Sequence, residues 1–243
     1  MKTIITNDDF EIQQDEHEPN IHIINFIRYS ENIINSVVKT RIILGATSTN
    51  NYKSLFFTAT KVQTFKQFQN ECKIIQGTSK ISTIIAEKMT YTLALQLNYL
   101  IKSFSQTFIG YHPENLIVID GSKFAYLSHL HLLDIDKEIV MITYPFSRTD
   151  FLMSPELNEI NEIPAYIHYK VSYYSLASLI IYALTSEDDY FFKGITETKK
   201  DETKKDKYIN ECLDKLHIKG TKLYWLLKRS LVEEPKNRSI IFI

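Results

Sequence analysis

The chain of 243 residues is poor in the residues that punctuate or staple small folds: six glycines, six prolines, two cysteines and one tryptophan. Two cysteines far apart, Cys72 and Cys212, form no CxxC or Cys/His array, which excludes a disulfide framework and a structural zinc site of the usual spacing. Lys and Arg number 28 against 29 Asp and Glu, for a net charge of -1. There is thus no global field to hold nucleic acid or an anionic membrane. No uninterrupted apolar run reaches the length of a membrane span, and the start, MKTIITNDDFEIQQDEHEPN, lacks the basic-then-apolar pattern of a leader. These absences point to a protein of a reducing, cytoplasmic compartment. Six glycines also leave few for a loop that wraps phosphate groups.

What is present is apolar material, 44% of the residues, enough to bury a sizeable core. Residues 1 to 20 are acidic and polar and read as a tail. From Ile21 to about Val62, β-branched and aromatic runs separated by the turn-rich TSTNNYK read as antiparallel strands, and KISTIIAEKM reads as another. FKQFQNECKIIQ spaces Phe65, Phe68, Cys72 and Ile75 for an amphipathic helix over about 65–76. YTLALQLNYLIKSFSQTF predicts a long apolar helix. NLIVI and KFAYL flank Asp120-Gly121, the strongest hairpin signal in the chain. YKVSYYSLASLIIYALT predicts a buried central helix; TETKKDETKKDK predicts a solvated loop or helix face; NECLDKLHI and KLYWLLKRSLVEE predict two closing amphipathic helices. The expected class is α+β, with a strand-rich lobe over 21–90 and a mainly helical lobe over 91–243, together one domain.

A series of motifs in this order resembles the protein kinase-like superfamily over roughly residues 25 to 240. HPENLIVIDG resembles the end of the kinase catalytic loop, where an asparagine that coordinates metal precedes a hairpin, and Asn115 matches that asparagine. Lys61 in TATKV and Glu71, ten residues on, resemble the strand lysine and helix glutamate that hold ATP phosphates. MSPEL and LVEEPKNR resemble the two motifs whose glutamate and arginine pair inside the helical lobe, which implies a buried, bidentate Glu156–Arg238 pair.

The same resemblance exposes what is missing. The catalytic His-Arg-Asp falls on Phe108-Ile109-Gly110, so Gly110 replaces the catalytic aspartate and no base is left; Phe108 keeps only apolar volume. The metal-holding Asp-Phe-Gly falls near Ser128-His129-Leu130, and a neutral hydroxyl is a poor ligand for Mg²⁺. With RYSENIINSVV taken as the phosphate-covering turn, Glu31 and its neighbours stand where glycines belong; a register using Gly45 recovers only one glycine. Ser172 replaces the central-helix aspartate that braces the catalytic loop.

The resemblance therefore implies a pseudokinase: a catalytically inactive kinase-like scaffold or regulator with a protein partner, its vestigial nucleotide site formed by Lys61, Glu71 and Asn115. No cofactor and no metal are expected beyond weak ATP binding through Lys61, and its cleft is expected to hold a partner or its own side chains. Two alternatives stand beside it. One is a divergent active Ser/Thr kinase that recruits Asp134 or Asp136 for metal, distinguished by a carboxylate within coordinating distance of Asn115. The other is a structural component of a viral particle, since degraded kinase-like proteins of this composition are common in large DNA viruses, with the host cytoplasm or virion as location. His129 and His131 form an H-x-H read mainly as packing or solvent-facing. Ser154 lacks a nucleophile elbow, and Tyr173 and Tyr174 read as core. Partner identity and oligomeric state are not legible in the sequence.

Overall fold

The computed structural model describes residues 1–49, 51–143, 154–185 and 202–240. It is a mixed α+β structure with antiparallel sheets. Among the described residues no helix is long and apolar enough to cross a membrane.

The chain begins with β1 (Lys2–Thr6), β2 (Phe10–Gln14) and β3 (Ile21–Phe26), continues into helix α1 (Glu31–Lys39), and returns through β4 (Thr47–Ser48) and β5 (Ser54–Thr58). These five strands form one sheet in the order β1-β2-β3-β5-β4. The acidic tail expected over residues 1–20 is therefore a correction: it supplies two of the strands. Pairing places Phe10 opposite Phe26 and Ile12 opposite Ile24, and all four are buried. The acids sit elsewhere, Glu11 on the opposite face of β2 and Asp15, Glu16 and Glu18 in the turn that follows. The alternating pattern was there, diluted by charge at the turn.

Helix α1 is the second correction, because RYSENIINSVV was read as a turn between strands. Ile33, Ile34, Ser36 and Val37 are buried along one side of this helix, so burial at helical spacing overrides the strand preference of its β-branched residues.

A short β6 (Val62–Thr64) leads directly into α2 (Phe65–Gln76), the helix expected over those residues. Its start is fixed by a capping box in which Gln67 N–H donates to Thr64 Oγ1 at 3.2 Å and Thr64 N–H to Gln67 Oε1 at 2.8 Å. Its end is Gly77, at φ 74°, where a side chain would be strained.

Helix α3 (Thr83–Phe104) starts eight residues before the predicted apolar stretch, capped by Ser82, so KISTIIAEKM is helical and not a strand. A lobe boundary at 90/91 would cut this helix. Its buried residues Ala86, Met89, Leu93, Leu97 and Leu100 run at helical spacing. Among them is an amide, Gln96. Its Nε2 donates to Ser36 Oγ on α1 at 3.1 Å and, at 2.9 Å, to the carbonyl of Tyr126, whose N–H returns a bond to Gln96 Oε1 at 2.9 Å.

Tyr126 lies on β9 (Lys123–Tyr126), which pairs with β8 (Leu116–Ile119) across the Asp120-Gly121 turn as expected. Both Asp120 and Gly121, in the three-residue loop Asp120–Ser122 that joins the strands, have positive φ, 51° and 64°. Strand β6 completes a three-stranded sheet β6-β8-β9. Before the hairpin, β7 (Gln106–Phe108) pairs with β10 (Leu132–Asp134); after it, β11 (Ile139–Met141) pairs with β12 (Ala165–Ile167).

The remaining described elements are helices: α4 (Pro155–Asn158), α5 (Val171–Leu184), α6 (Glu202–Lys215) and α7 (Lys222–Ser230). Helix α5 is the expected central helix, buried on nearly every side. One continuous apolar cluster runs from the first sheet through α3 and α5 to α7. A smaller cluster of Ile109, Ile139, Met141, Leu157, Ile160, Ile167 and Val171 sits beneath β11 and β12.

Candidate functional site: the Asp9–Asn115 cluster

The segment after β7 turns through Ile109, Gly110, Tyr111 and His112 into a single 3₁₀ turn, Pro113–Asn115, and then into β8. Phe108 is buried, with its ring edge-on to Tyr126 at 4.9 Å and to Tyr111 at 5.9 Å, the packing role expected of it. Gly110 is buried and offers no side chain. The loop is pinned from three directions. Ile109 N–H donates to His131 O at 3.0 Å, Ser175 Oγ on α5 donates to Ile109 O at 3.0 Å, and His112 N–H donates to Tyr126 Oη at 2.9 Å. The bracing assigned to Ser172's position thus comes from Ser175, one helical turn later. Ser172 instead bonds Tyr169 O at 2.9 Å.

Tyr126 and His131 form a short hydrogen bond between Oη and Nδ1. Burial is the main cause that pushes the His131 imidazole down to about pKa 3, with the neighbouring His112 adding to it. The ring is therefore neutral at pH 7 and Nδ1 accepts the phenol proton, while burial raises the Tyr126 phenol well above its usual range. His131 is thus part of the core, and the H-x-H pair does not act as a unit.

Asn115 meets an unexpected partner. The tight turn between β1 and β2, Asn7-Asp8-Asp9, reaches over to the loop. Asn7 Oδ1 accepts from Asp9 N–H at 2.9 Å and Phe10 N–H at 3.0 Å, which closes the turn on itself. The Asp9 side chain is then aimed at Asn115 and the Ser128–His129 segment: Asn115 Nδ2 and Ser128 Oγ both donate to its Oδ2 at 2.9 Å, and His129 N–H donates to Oδ1 at 3.1 Å. Asn7 Nδ2 donates to Asn115 Oδ1 at 3.0 Å and to Glu114 O at 3.3 Å. Asp9 is only 6% exposed.

A carboxylate thus stands next to Asn115, at the distance that would separate an inactive from a metal-dependent reading. The donor set around it is wrong for a cation. An amide N–H, a hydroxyl and a backbone N–H all point at Asp9, while the oxygen of Asn115 is turned away to Asn7. This is a cradle for an anion, and the protein's own side chain fills it. The residues present do not fit Mg²⁺, which needs oxygens converging on it.

Lys61 and Glu71 do meet, Nζ to Oε2 at 2.5 Å, with Gln63 Nε2 adding a bond at 3.0 Å. The Lys61 hydrogen bond, followed by that from Gln63, lowers the Glu71 pKa. The pair lies outside the Asp9 cluster, however. Lys61 adjoins Asp120, whose Oδ1 accepts from Thr60 and Lys61 N–H at 2.8 and 3.1 Å. Asn115 and Asp120 bracket opposite ends of β8, five residues or about 16 Å apart. The two lysine-pair side chains are 51% and 38% exposed. The strand that leads into the helix packed on the first sheet is β3, and it carries no lysine. Its inner face presents His22, Ile24 and Phe26.

Among the other candidates, Asp134 sits opposite Gln106 at the end of the β7–β10 ladder away from the loop and accepts from Gln106 Nε2 at 2.7 Å. Asp136 is exposed. Arg238 is wholly buried, and its Nη2 makes a short bond to Glu156 Oε1. The pair is single and not bidentate. Nη2 also bonds Glu233 O at 2.6 Å, and Nε donates to Val232 O at 2.7 Å. The guanidinium lies 5.0 Å over the Tyr174 ring, which places Tyr174 in the core as expected. Tyr173 is half-buried, and its phenol is pushed up to about 12 by burial. Ser154 precedes α4 and is buried. Most of the charge run from 196 to 207 lies outside the described residues or within the part of α6 whose side chains are not described.

In comparison with known proteins, no family model matches the chain and no curated protein matches it.

Proposed function

We propose that the protein is a catalytically inactive, two-lobed kinase-like protein, a pseudokinase, that works as a binding scaffold or regulator. The carrying observation is the Asp9 cluster: a side chain from the first turn of the small sheet occupies the place where nucleotide phosphates and metal would meet Asn115. Element order supports the two-lobe arrangement, with a five-stranded antiparallel sheet interrupted by one helix, a loop and hairpin bearing Asn115, and a mainly helical remainder. Gly110 at the place expected of the base supports inactivity, because phosphoryl transfer depends on positioning and charge neutralisation, and the described side chains bonded to Asn115, those of Asn7 and Asp9, bring no positive charge. The negative charge of Asp9 would also repel phosphates.

Exposed apolar side chains support the binding role. Ile74, Ile75 and Ile84, at the end of α2 and the start of α3, are 85%, 72% and 67% exposed, an arrangement that on a folded protein marks contact surface. A cytoplasmic compartment, expected from the cysteine spacing and the lack of a leader pattern, and any role in a viral particle, expected from the resemblance, belong to the same proposal.

A second reading is favoured by one observation, the nearness of Asp9 to Asn115. In a divergent active kinase those two would share a metal after the amide turns over. The readings separate in a phosphoryl-transfer assay with labelled ATP, Mg²⁺ or Mn²⁺, and a general protein substrate. The scaffold reading expects no transfer by the wild type above that of Asn115→Ala. Transfer that Asn115→Ala and Asp9→Ala both abolish would overturn it.

A further inference from the structure

Far along the chain from the Asp9 cluster, the described surface has a built concavity separate from the one lined by Lys61, Glu71 and Asp120. A groove of about 330 Å³ opens where α6, α7 and the segment after α7 converge. Its floor is aliphatic, from Ile209, Leu231 and Val232, and its wall carries Trp225, Lys228 and Arg229. Trp225 is the only tryptophan of the chain and is 49% exposed. Lys228 Nζ lies 5.6 Å from the centre of its indole and 6.0 Å from that of Tyr224, so the ammonium is held at the rim by two rings. Arg229, beside it, is exposed. Among the described residues no carboxylate lines the groove.

Each part calls for a feature of an occupant. An aliphatic floor rewards an apolar side chain. Two cations with no lining anion call for carboxylates. A half-exposed tryptophan next to an arginine is the residue pair most enriched among energetic anchors of protein interfaces. We infer that this groove binds an acidic peptide segment of a partner protein, one that carries a large apolar residue between carboxylates. Single-stranded nucleic acid also uses aromatic and basic residues, but it stacks bases on open ring faces. Here Lys228 already lies over the indole, the floor is aliphatic, and among the described lining residues Lys228 and Arg229 are the two cations. The inference stands whether or not the cleft at Asp9 holds nucleotide.

The lone tryptophan supplies the readout. The full chain is titrated with an acetylated, amidated peptide Glu-Glu-Asp-Leu-Phe-Glu-Asp-Glu while Trp225 emission is followed. The same titration is made with a peptide of identical apolar centre whose acids are replaced by Lys, and with a dodecamer of deoxythymidine. The expected result is a saturable emission change with the acidic peptide below about 1 mM and none with the other two. The double variant Lys228→Glu, Arg229→Glu, which keeps the reporter, should weaken binding at least about tenfold. Both side chains lie at the rim, and an unchanged unfolding midpoint shows that the fold survives. No saturable response to the acidic peptide, an equal response to the basic peptide or the oligonucleotide, or unweakened binding by a folded double variant would overturn the inference.

Discussion

Two carboxylates in this molecule face donors across a cleft or groove, and they differ in nearly everything else. Asp9 is buried, and its two oxygens take three neutral donors from two separate segments. Glu71 is exposed and takes a lysine and a glutamine from the strand preceding its own helix. The second has the residue types that resemble an ATP-holding pair; the first lies against Asn115. Burial decides which matters. A solvated ion pair exchanges one set of polar partners for another at little net gain, whereas a buried carboxylate with three donors on its two oxygens fixes the segments that supply them. In the proposed pseudokinase reading, Asp9 is the group that closes the cleft from within.

The sharpest way to extend the comparison is a third carboxylate, Glu156, against the fully buried Arg238. Glu156→Ala leaves a guanidinium facing only carbonyls and a ring, and should cost about 3 kcal/mol in denaturant unfolding. A loss near zero would place that pair with Glu71 and not with Asp9. Next is Asp9→Ala, which strands the donors of Asn115, Ser128 and His129. The expected loss is about 2 kcal/mol, and proteolysis or hydrogen exchange of residues 1–14 should rise with it.

The His131 imidazole tests burial in the same region by pH. Its folded-state pKa is depressed to about 3, so the unfolded chain, near 6.5, takes up the proton first. Its contribution is complete above pH 6.5 and is lost as pH falls toward 3, about 2 kcal/mol of it between pH 7 and pH 5. Measured against the wild type, His131→Asn should flatten the stability profile over that interval; an unchanged slope would contradict a neutral, buried imidazole. Smallest is the exposed pair: Lys61→Ala should leave the unfolding midpoint unchanged within error, at low salt as at high. A clear loss would mean that the pair is more than a solvated contact.

Much of the chain after residue 60 was legible in the sequence because strong local signals agree there. Asp120-Gly121 could only be a turn between β-branched runs, FKQFQNECKIIQ carried its own capping box with Thr64, and the apolar run of α5 left no face for solvent. Strands β3 and β5 lie where antiparallel strands were expected, but residues 1–20 and 30–40 were misread for a physical reason. Alternation in FEIQQ is short and surrounded by acids whose place is the turns and outer face, and ENIINSVV is a helix made of strand-preferring residues, held by α3 and not by propensity. Residues 31–39, expected in a turn between strands, are α1, and the first turn between strands is at residues 7–9. That shift also removes Lys61 from the strand role assigned to it.

Within the site, Asn115, Gly110 and Ser128 were found from motif spacing. Asp9, Gln96 and Ser175 were not, because each acts on a partner 30 to 119 residues away and sequence spacing carries no trace of such contacts. The one available signal was the Asn7-Asp8-Asp9 triplet itself, a turn-forming sequence between two short alternating runs.

The central claim is that Asp9 closes the cleft against nucleotide. Thermal unfolding of the wild-type protein with and without millimolar ATP, each with and without Mg²⁺, tests it most directly. The account predicts the same midpoint in all four conditions. A rise that requires both ATP and Mg²⁺ would contradict it, and would make Asp9 and Asn115 ligands of a working metal site.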